Sequence, residues 1–231
     1  MEIKCFASSS KGNCYTVDDG HTRLLIECGI AFREIQKALE FKVSKVSGCL
    51  VSHGHSDHCK AMKEVAKAGV DVFASGETFE AIGVTGHRYR TIKAREQFKI
   101  GSFTVLAFDT AHDCPGSLGF LLASGKSKLV YLTDSFYCRY RFKGLSHIMC
   151  EANYSLDILR ENMAAGLVAP ELKNRLLKSH MSLETCKEFL KANDLSRVQE
   201  IWLIHLSDGN SDSARFKREI QALTGKAVTI A

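Results

Sequence analysis

The sequence predicts a layered α/β or α+β sandwich, on three observations. Short apolar runs rich in Val, Ile, Leu and Phe dominate its first two thirds, helical stripes interrupt them, and the last third turns more helical. No repeat, low-complexity tract or Pro/Gly linker divides the 231 residues, so one continuous domain over 1–231 is expected.

In chain order, strands are expected at Glu2–Phe6, Cys14–Val17 and Arg23–Glu27, where apolar, β-branched and aromatic side chains reach strand length. Phe32, Ile35 and Leu39 recur at helical spacing and mark a first helix. A strand at Val46–Ser52 follows, then a helix marked by Met62, Val65 and Ala66 that ends near Gly69. Val70–Ala74, Phe103–Phe108, Leu118–Leu122, Lys128–Leu132 and Ile148-Met149-Cys150 read as further strands. Helices are expected at Ser155–Ala165, Ser182–Ala192 and Asp212–Leu223, with a strand at Glu200–Leu206 between the last two and another at Ala227–Ile230. The pattern leaves the strand order open.

Apolar residues make up 45% of the chain and charged residues 25%, ordinary values for a globular protein. A chain this long buries a core without metal or disulfide staples, so any metal is expected to serve catalysis. No apolar run approaches the ~20 residues that span a bilayer, and Met1-Glu2-Ile3-Lys4-Cys5 lacks the apolar stretch of a signal peptide. Nine cysteines, scattered with no C-x-x-C pair, read as small buried hydrophobes in a reducing cytoplasm rather than a disulfide framework. The net charge of +5 suits a polyanionic partner and equally suits solubility.

The segment that carries chemistry is His53-Gly54-His55-Ser56-Asp57-His58, between the strand Cys49-Leu50-Val51-Ser52 and a helical pattern. Imidazole and carboxylate are the usual ligands of zinc and similar divalent ions. Gly54 is expected to permit a sharp bend, and Ser56 or Asp57 to cap the helix that follows. The spacing favours two ions over one: His53 and His55 can point to one side, while Asp57 and His58 arrive from the next turn. Further candidates follow apolar strands, His112 in Thr110-Ala111-His112-Asp113, Asp134 in Leu132-Thr133-Asp134, and His205 in Trp202-Leu203-Ile204-His205. Strand ends are where α/β folds commonly place their sites. A lone histidine is more often a hydrogen-bonded core or surface group, but that explanation is weak for three in six residues.

H-x-H-x-D-H followed by His112, Asp134 and His205 resembles the metallo-β-lactamase superfamily over nearly the whole chain. The resemblance implies a four-layer αββα sandwich and two divalent metal ions, zinc first, with manganese or iron also compatible. By motif it assigns His53, His55 and His112 to one ion, Asp57, His58 and His205 to the second, and Asp134 to both. Glu151-Ala152-Asn153, His180 in Ser179-His180-Met181-Ser182, and His205-Leu206-Ser207 resemble motifs of the ribonuclease Z-like branch. There the glutamate supports a histidine that acts on the phosphate, so His180 and Glu151 join Asp57 in the implied catalytic set. Phe6-Ala7-Ser8-Ser9-Ser10-Lys11-Gly12-Asn13-Cys14, His112-Asp113-Cys114-Pro115-Gly116-Ser117 and His205-Leu206-Ser207-Asp208-Gly209-Asn210 are similar to the YycJ/WalJ-like subfamily, regarded as DNA exonucleases. Ala7 and Lys11 depart from its opening; Lys11 reads as a phosphate contact or a solvated lysine.

These readings imply hydrolysis of nucleic-acid phosphodiesters, DNA foremost, by a hydroxide bridging the two ions. His180 would protonate the leaving alkoxide or hold a phosphoryl oxygen, with its ring oriented by Glu151. Asp113 and Glu27 are candidates for fixing ligand histidines. Ser9, Ser10 and Asn13 are expected to contact substrate, with turn roles as the alternative. Arg139, Arg141 and Lys143, interleaved with Tyr140 and Phe142, suit phosphate attraction plus base stacking. A second basic run at 87–99, and Lys173, Arg175 and Lys178, read as solvated charge or further contacts. The rival enzyme reading is a small-substrate phosphodiesterase acting on cyclic nucleotides; a non-catalytic nucleic-acid-binding metalloprotein ranks below it.

Overall fold

A computed structural model describes residues 1–231, apart from the side chains at positions 170 and 172. The chain forms two compact units, one of Met1–Asp109 with Cys114–Lys126, the other of Thr110–Asp113 with Ser127–Ala231.

In the first unit, β1 (Glu2–Ser9), β2 (Gly12–Asp18), β3 (Arg23–Ile26), β4 (Val46–Leu50), β5 (Val72–Ala74) and β6 (Tyr89–Thr91) form one sheet in that order. β1 and β2 pair antiparallel, as do β2 and β3, while β3 to β6 run parallel. Parallel neighbours need crossover segments, and α1 (Phe32–Ala38), the adjoining helices α2 (Ser56–Cys59) and α3 (Met62–Lys67), and α4 (Gly76–Ile82) supply them. Ile35, Leu39, Met62, Val65 and Phe79 from these segments pack in one buried cluster with Leu25, Cys49 and Val51 of the sheet region. The same unit holds an antiparallel ladder of β7 (Gln97–Ile100), β8 (Phe103–Asp109) and β9 (Leu118–Ser124).

The second unit is built on parallel strands β10 (Ser127–Leu132), β11 (His147–Glu151), β12 (Glu200–Ile204) and β13 (Ala227–Ile230). Its helices are α5 (Leu156–Ala164), α6 (Pro170–Ser179), α7 (Leu183–Lys191) and α8 (Ser213–Thr224). Ser182 caps α7 by accepting from the Thr185 amide, and Asp212 caps α8 by accepting from Arg215.

The expected long strands and helices form with ends shifted by a few residues. Those that were not anticipated, α4, α6, β6 and β7, are short or polar, and β6 has an exposed pattern without alternation. Arg88 and Arg90 of the second basic run are held by Asp71 at 2.8 and 2.9 Å. All nine cysteines are free thiols, five of them deep in the core at Cys14, Cys28, Cys49, Cys150 and Cys186. Among the described residues no helix is long and apolar enough to cross a membrane.

Candidate metal and catalytic centre

The register of each sheet gathers polar residues at the carboxyl ends of parallel strands. In the first unit Ile26 pairs with Leu50, so Glu27 and the segment Ser52-His53 leave the sheet at one edge. In the second, Leu132, Cys150 and Leu203 are in register, which brings Asp134, Ala152 and His205 to the same level two residues on. Glu27, Asp134 and His205 each adopt a left-handed backbone, with φ of 61°, 43° and 55°. Non-glycine residues rarely hold that conformation, and it concentrates at functional sites. It turns the chain sharply at each strand end and sets the direction of the side chain.

The 53–58 loop presents two donor pairs. His53 Nε2 lies 3.0 Å from His55 Nδ1, and His58 Nε2 lies 3.2 Å from Asp57 Oδ2. Two ligand nitrogens on one tetrahedral zinc ion sit about 3.3 Å apart at ordinary bond lengths, so each pair fits one ion. Behind the donors, Ser52 Oγ lies 2.9 Å from His53 Nδ1. Glu27 is fully buried, accepts from the Ser52 amide at 3.2 Å and lies 3.5 Å from His58 Nδ1. It thus holds the ring of His58 with Nε2 turned toward Asp57, as a carboxylate behind a ligand histidine should.

One local expectation is corrected. The residue capping α2 is His55, with no side-chain hydrogen bond, rather than Ser56 or Asp57. The chain bends at Gly54 as expected, without a positive φ; the glycine packed tightly behind the loop is Gly29. A Cβ there would fall 1.6 Å from the Asp57 carbonyl oxygen. Around it, Cys28 N donates to His58 O and Ala61 N to Cys28 O, each at 2.9 Å, so the 27–29 segment clamps the loop from behind. Asn13 joins this clamp. It is fully buried, and its amide donates to Ser9 O at 3.1 Å and Asp57 O at 3.3 Å. Its side chain therefore fixes the loop, with Nδ2 also 3.2 Å from His58 Nε2.

In the second unit, ligand atoms of Asp134, Glu151, His180 and His205 lie within 4.8 Å of one another. Asp134 is buried, with Oδ1 3.5 Å from His205 Nδ1 and Oδ2 3.7 Å from His112 Nε2. A carboxylate with its two oxygens beside different imidazoles is suited to a shared ligand. His112 Nδ1 donates to the Ser179 carbonyl at 3.1 Å, which leaves Nε2 as the electron-pair donor. Asp113 Oδ1 lies 3.4 Å from that Nε2, and Asp113 Oδ2 3.6 Å from Arg175 Nε.

Glu151 is wholly buried, and protein donors surround both of its oxygens. Oε1 accepts from His180 Nδ1 at 2.7 Å and His205 Nδ1 at 3.0 Å, and Oε2 from Met181 N at 2.9 Å and Ser135 N at 3.2 Å. With its acceptors so engaged it orients both histidines rather than serving as a ligand. Burial alone would raise its pKa, but the His180 charge and the two histidine hydrogen bonds outweigh burial and lower it. Burial likewise opposes the charged form of His180, yet Glu151 and Asp134 raise its pKa above the ordinary histidine value. Burial lowers that of His112 despite Asp134 and Asp113. Of these two histidines, His180 is the one whose protonated form is favoured, with Nδ1 on Glu151 and Nε2 directed away from it.

Of the remaining candidates, Ser9 and Ser10 lie at the β1–β2 turn, where Ser9 Oγ accepts from Lys11 N at 3.2 Å. Arg139, Arg141 and Lys143 are exposed on the irregular segment after Asp134.

The family model for the β-lactamase superfamily domain matches residues 22–206. The exodeoxyribonuclease WalJ of Streptococcus pneumoniae serotype 2 is 26% identical over 228 residues, covering 91% of this chain and 83% of that protein. The exodeoxyribonuclease YycJ of Bacillus anthracis is 26% identical over 229 residues, covering 91% and 84%. The metallo-β-lactamase fold protein YhfI of Bacillus subtilis superposes with a TM-score of 0.75 at 15% identity, over 99% of this chain and 95% of its own, which shows the fold.

Proposed function

Because the chain belongs to the β-lactamase superfamily and is a metal-dependent hydrolase of it, we propose that it cleaves nucleic-acid phosphodiesters, DNA foremost, as an exonuclease. Residues 1–231 would work as one functional domain in a reducing cytoplasm. His53, His55 and His112 would hold one divalent ion, Asp57, His58 and His205 the other, and Asp134 both. Zinc is the first choice for such a donor set, with manganese or iron as substitutes. When bound, the ions would activate water and neutralise phosphate charge.

The protein's own groups do the rest. Glu151 fixes the tautomer and direction of His180, and the raised pKa of His180 keeps its proton available near neutral pH for the departing alkoxide. Ser9, Ser10, Arg139, Arg141 and Lys143 would meet the strand, the cations through its phosphates. The observation that carries this reading is the Glu151–His180 pair at 2.7 Å beside the donor atoms of Asp134 and His205. A proton donor so placed suits a leaving group that departs as an alkoxide. The names of the two exodeoxyribonuclease relatives support the same substrate class.

The test is a substrate panel with zinc or manganese: bis(4-nitrophenyl) phosphate, linear duplex DNA, single strands, RNA and cyclic nucleotides. Hydrolysis of the chromogenic diester together with nucleotide release from DNA ends is expected. Turnover of cyclic nucleotides with every nucleic acid spared would replace this reading with a small-substrate phosphodiesterase. No hydrolysis at all by protein carrying two ions would end it.

A further inference from the structure

Three residues beyond Asp134 the chain enters a cavity of about 350 Å³, lined by Tyr137, Cys138, Arg139, Tyr140 and Arg141 on one side and by Thr185, Glu188 and Phe189 of α7 on the other. That volume lies at the lower end of the range for small-molecule sites. The loop is pinned despite its irregular backbone. Ser135 Oγ donates to Tyr137 O at 2.7 Å, Phe142 N donates to Asn193 Oδ1 at 2.7 Å, and the Phe142 ring meets Phe189 edge to face at 6.4 Å.

The lining has two kinds of chemistry. Tyr137 is 43% exposed and rests against the exposed ring of Phe136 at 4.7 Å, while the Arg139 guanidinium lies over the Tyr140 ring at 5.2 Å. Such planar surfaces favour stacking of any base. Glu188 adds a carboxylate, with Oε1 held 2.9 Å from Lys191 Nζ. Its side chain is 71% exposed, so this carboxylate sits at the cavity rim, where it disfavours a bare phosphate and can accept hydrogen bonds from the amino groups of a base. Burial pushes the Cys138 thiol up to about 11, so it adds a neutral wall.

We propose that this cavity is a subsite for the base of an unpaired nucleotide near the end of a nucleic-acid strand, with its phosphates outside on Arg139 and Arg141. The proposal rests on the phosphodiesterase reading and adds the substrate form, a strand end whose terminal bases are frayed or single. Tyr137 is at most about 11 Å along the chain from Asp134, the span of roughly three phosphates on one strand. The base taken up therefore belongs within about three nucleotides of the bond that is cut.

The test is an abasic scan by fluorescence anisotropy, using the metal-loaded protein and phosphorothioate-linked single strands of DNA and of RNA. An abasic residue at one position within about three nucleotides of an end should weaken binding about tenfold, the scale of one lost stacking contact. Tyr140→Ala and Tyr137→Ala should each lose a comparable factor on the intact strand, and the abasic residue should then cost nothing further. Tyr140→Phe, which keeps the ring, should restore the positional effect. A penalty in the DNA arm, the RNA arm or both supports the subsite and names its strand. Equal loss at every position, or an undiminished abasic penalty in both tyrosine-to-alanine variants, overturns it. Turnover of the base-free bis(4-nitrophenyl) phosphate by the unmodified protein judges the hydrolase reading separately.

Discussion

The 53–58 loop draws four donors from six consecutive residues, whereas the cluster around Asp134 is assembled from positions as far apart as His112 and His205. The first is held by what lies behind one short segment: Glu27 under His58, Asn13 under Asp57, and Gly29 pressed against the Asp57 carbonyl. The second is held by strand register, because β10, β11 and β12 must pair correctly for Asp134, Glu151 and His205 to meet. A contiguous cluster is thus vulnerable at single supporting atoms. A dispersed one fails when a strand end or its left-handed residue shifts. The two should respond differently to substitution: damage behind the loop should cost metal, while damage at the Glu151–His180 pair should cost turnover.

The largest separation is expected for His180→Ala. Loss of a positioned general acid costs on the order of 10²–10⁴-fold in kcat, and elemental analysis should find the metal content unchanged. Metal loss in that variant would move His180 into the ligand set and erase the contrast. Gly29→Ala tests the loop from behind. Its new Cβ would overlap the Asp57 carbonyl, and overpacking of this kind costs about 1–3 kcal/mol or more. A lowered melting temperature together with a drop in bound metal is expected; unchanged metal stoichiometry would show that the clamp does not set the donors. Glu27→Gln should weaken metal binding by about 10–100-fold, the usual effect of altering the partner of a ligand histidine, measurable by competition with a chromogenic chelator. A control at the far side of the first unit should show neither effect. Burial would raise the Asp71 pKa, but hydrogen bonds from Arg88 and Arg90 outweigh it and hold the carboxyl below its ordinary value. Its stabilisation is therefore present above the unfolded value near ~3.9 and fades as pH falls through the folded value. With both arginines well exposed, Asp71→Asn should cost less than about 1 kcal/mol at neutral pH, read by urea denaturation, with metal content and turnover intact.

The same contrast explains what could be read from the sequence. His53, His55, Asp57 and His58 announce themselves by composition, and their division into two pairs follows from the turn between them. Asp134 and His205 were legible only because each follows an apolar run. Nothing in residue type signals that Glu27, Asp134 and His205 adopt positive φ, since that conformation is imposed by the sheet edge. Nothing in the residues around Gly29 signals that its Cα lies against the Asp57 carbonyl, a contact between segments distant in the chain. Asn13 was read as a substrate contact or a turn residue from its place in a serine-rich stretch, and nothing in that stretch signals that it is fully buried. The cavity beside α7 left only its arginines and aromatics as a trace, since the wall formed by Thr185 and Phe189 depends on contacts distant in the chain.

The last turn of α6 places two neighbours under one lever. The Ser179 carbonyl receives the His112 ring at 3.1 Å, and the next residue is His180. Any rearrangement that unwound this turn would release a proposed metal-binding imidazole and withdraw the proton donor together. On the proposed reading, metal binding and proton donation would therefore be lost together when this turn unwinds, as one cooperative unit.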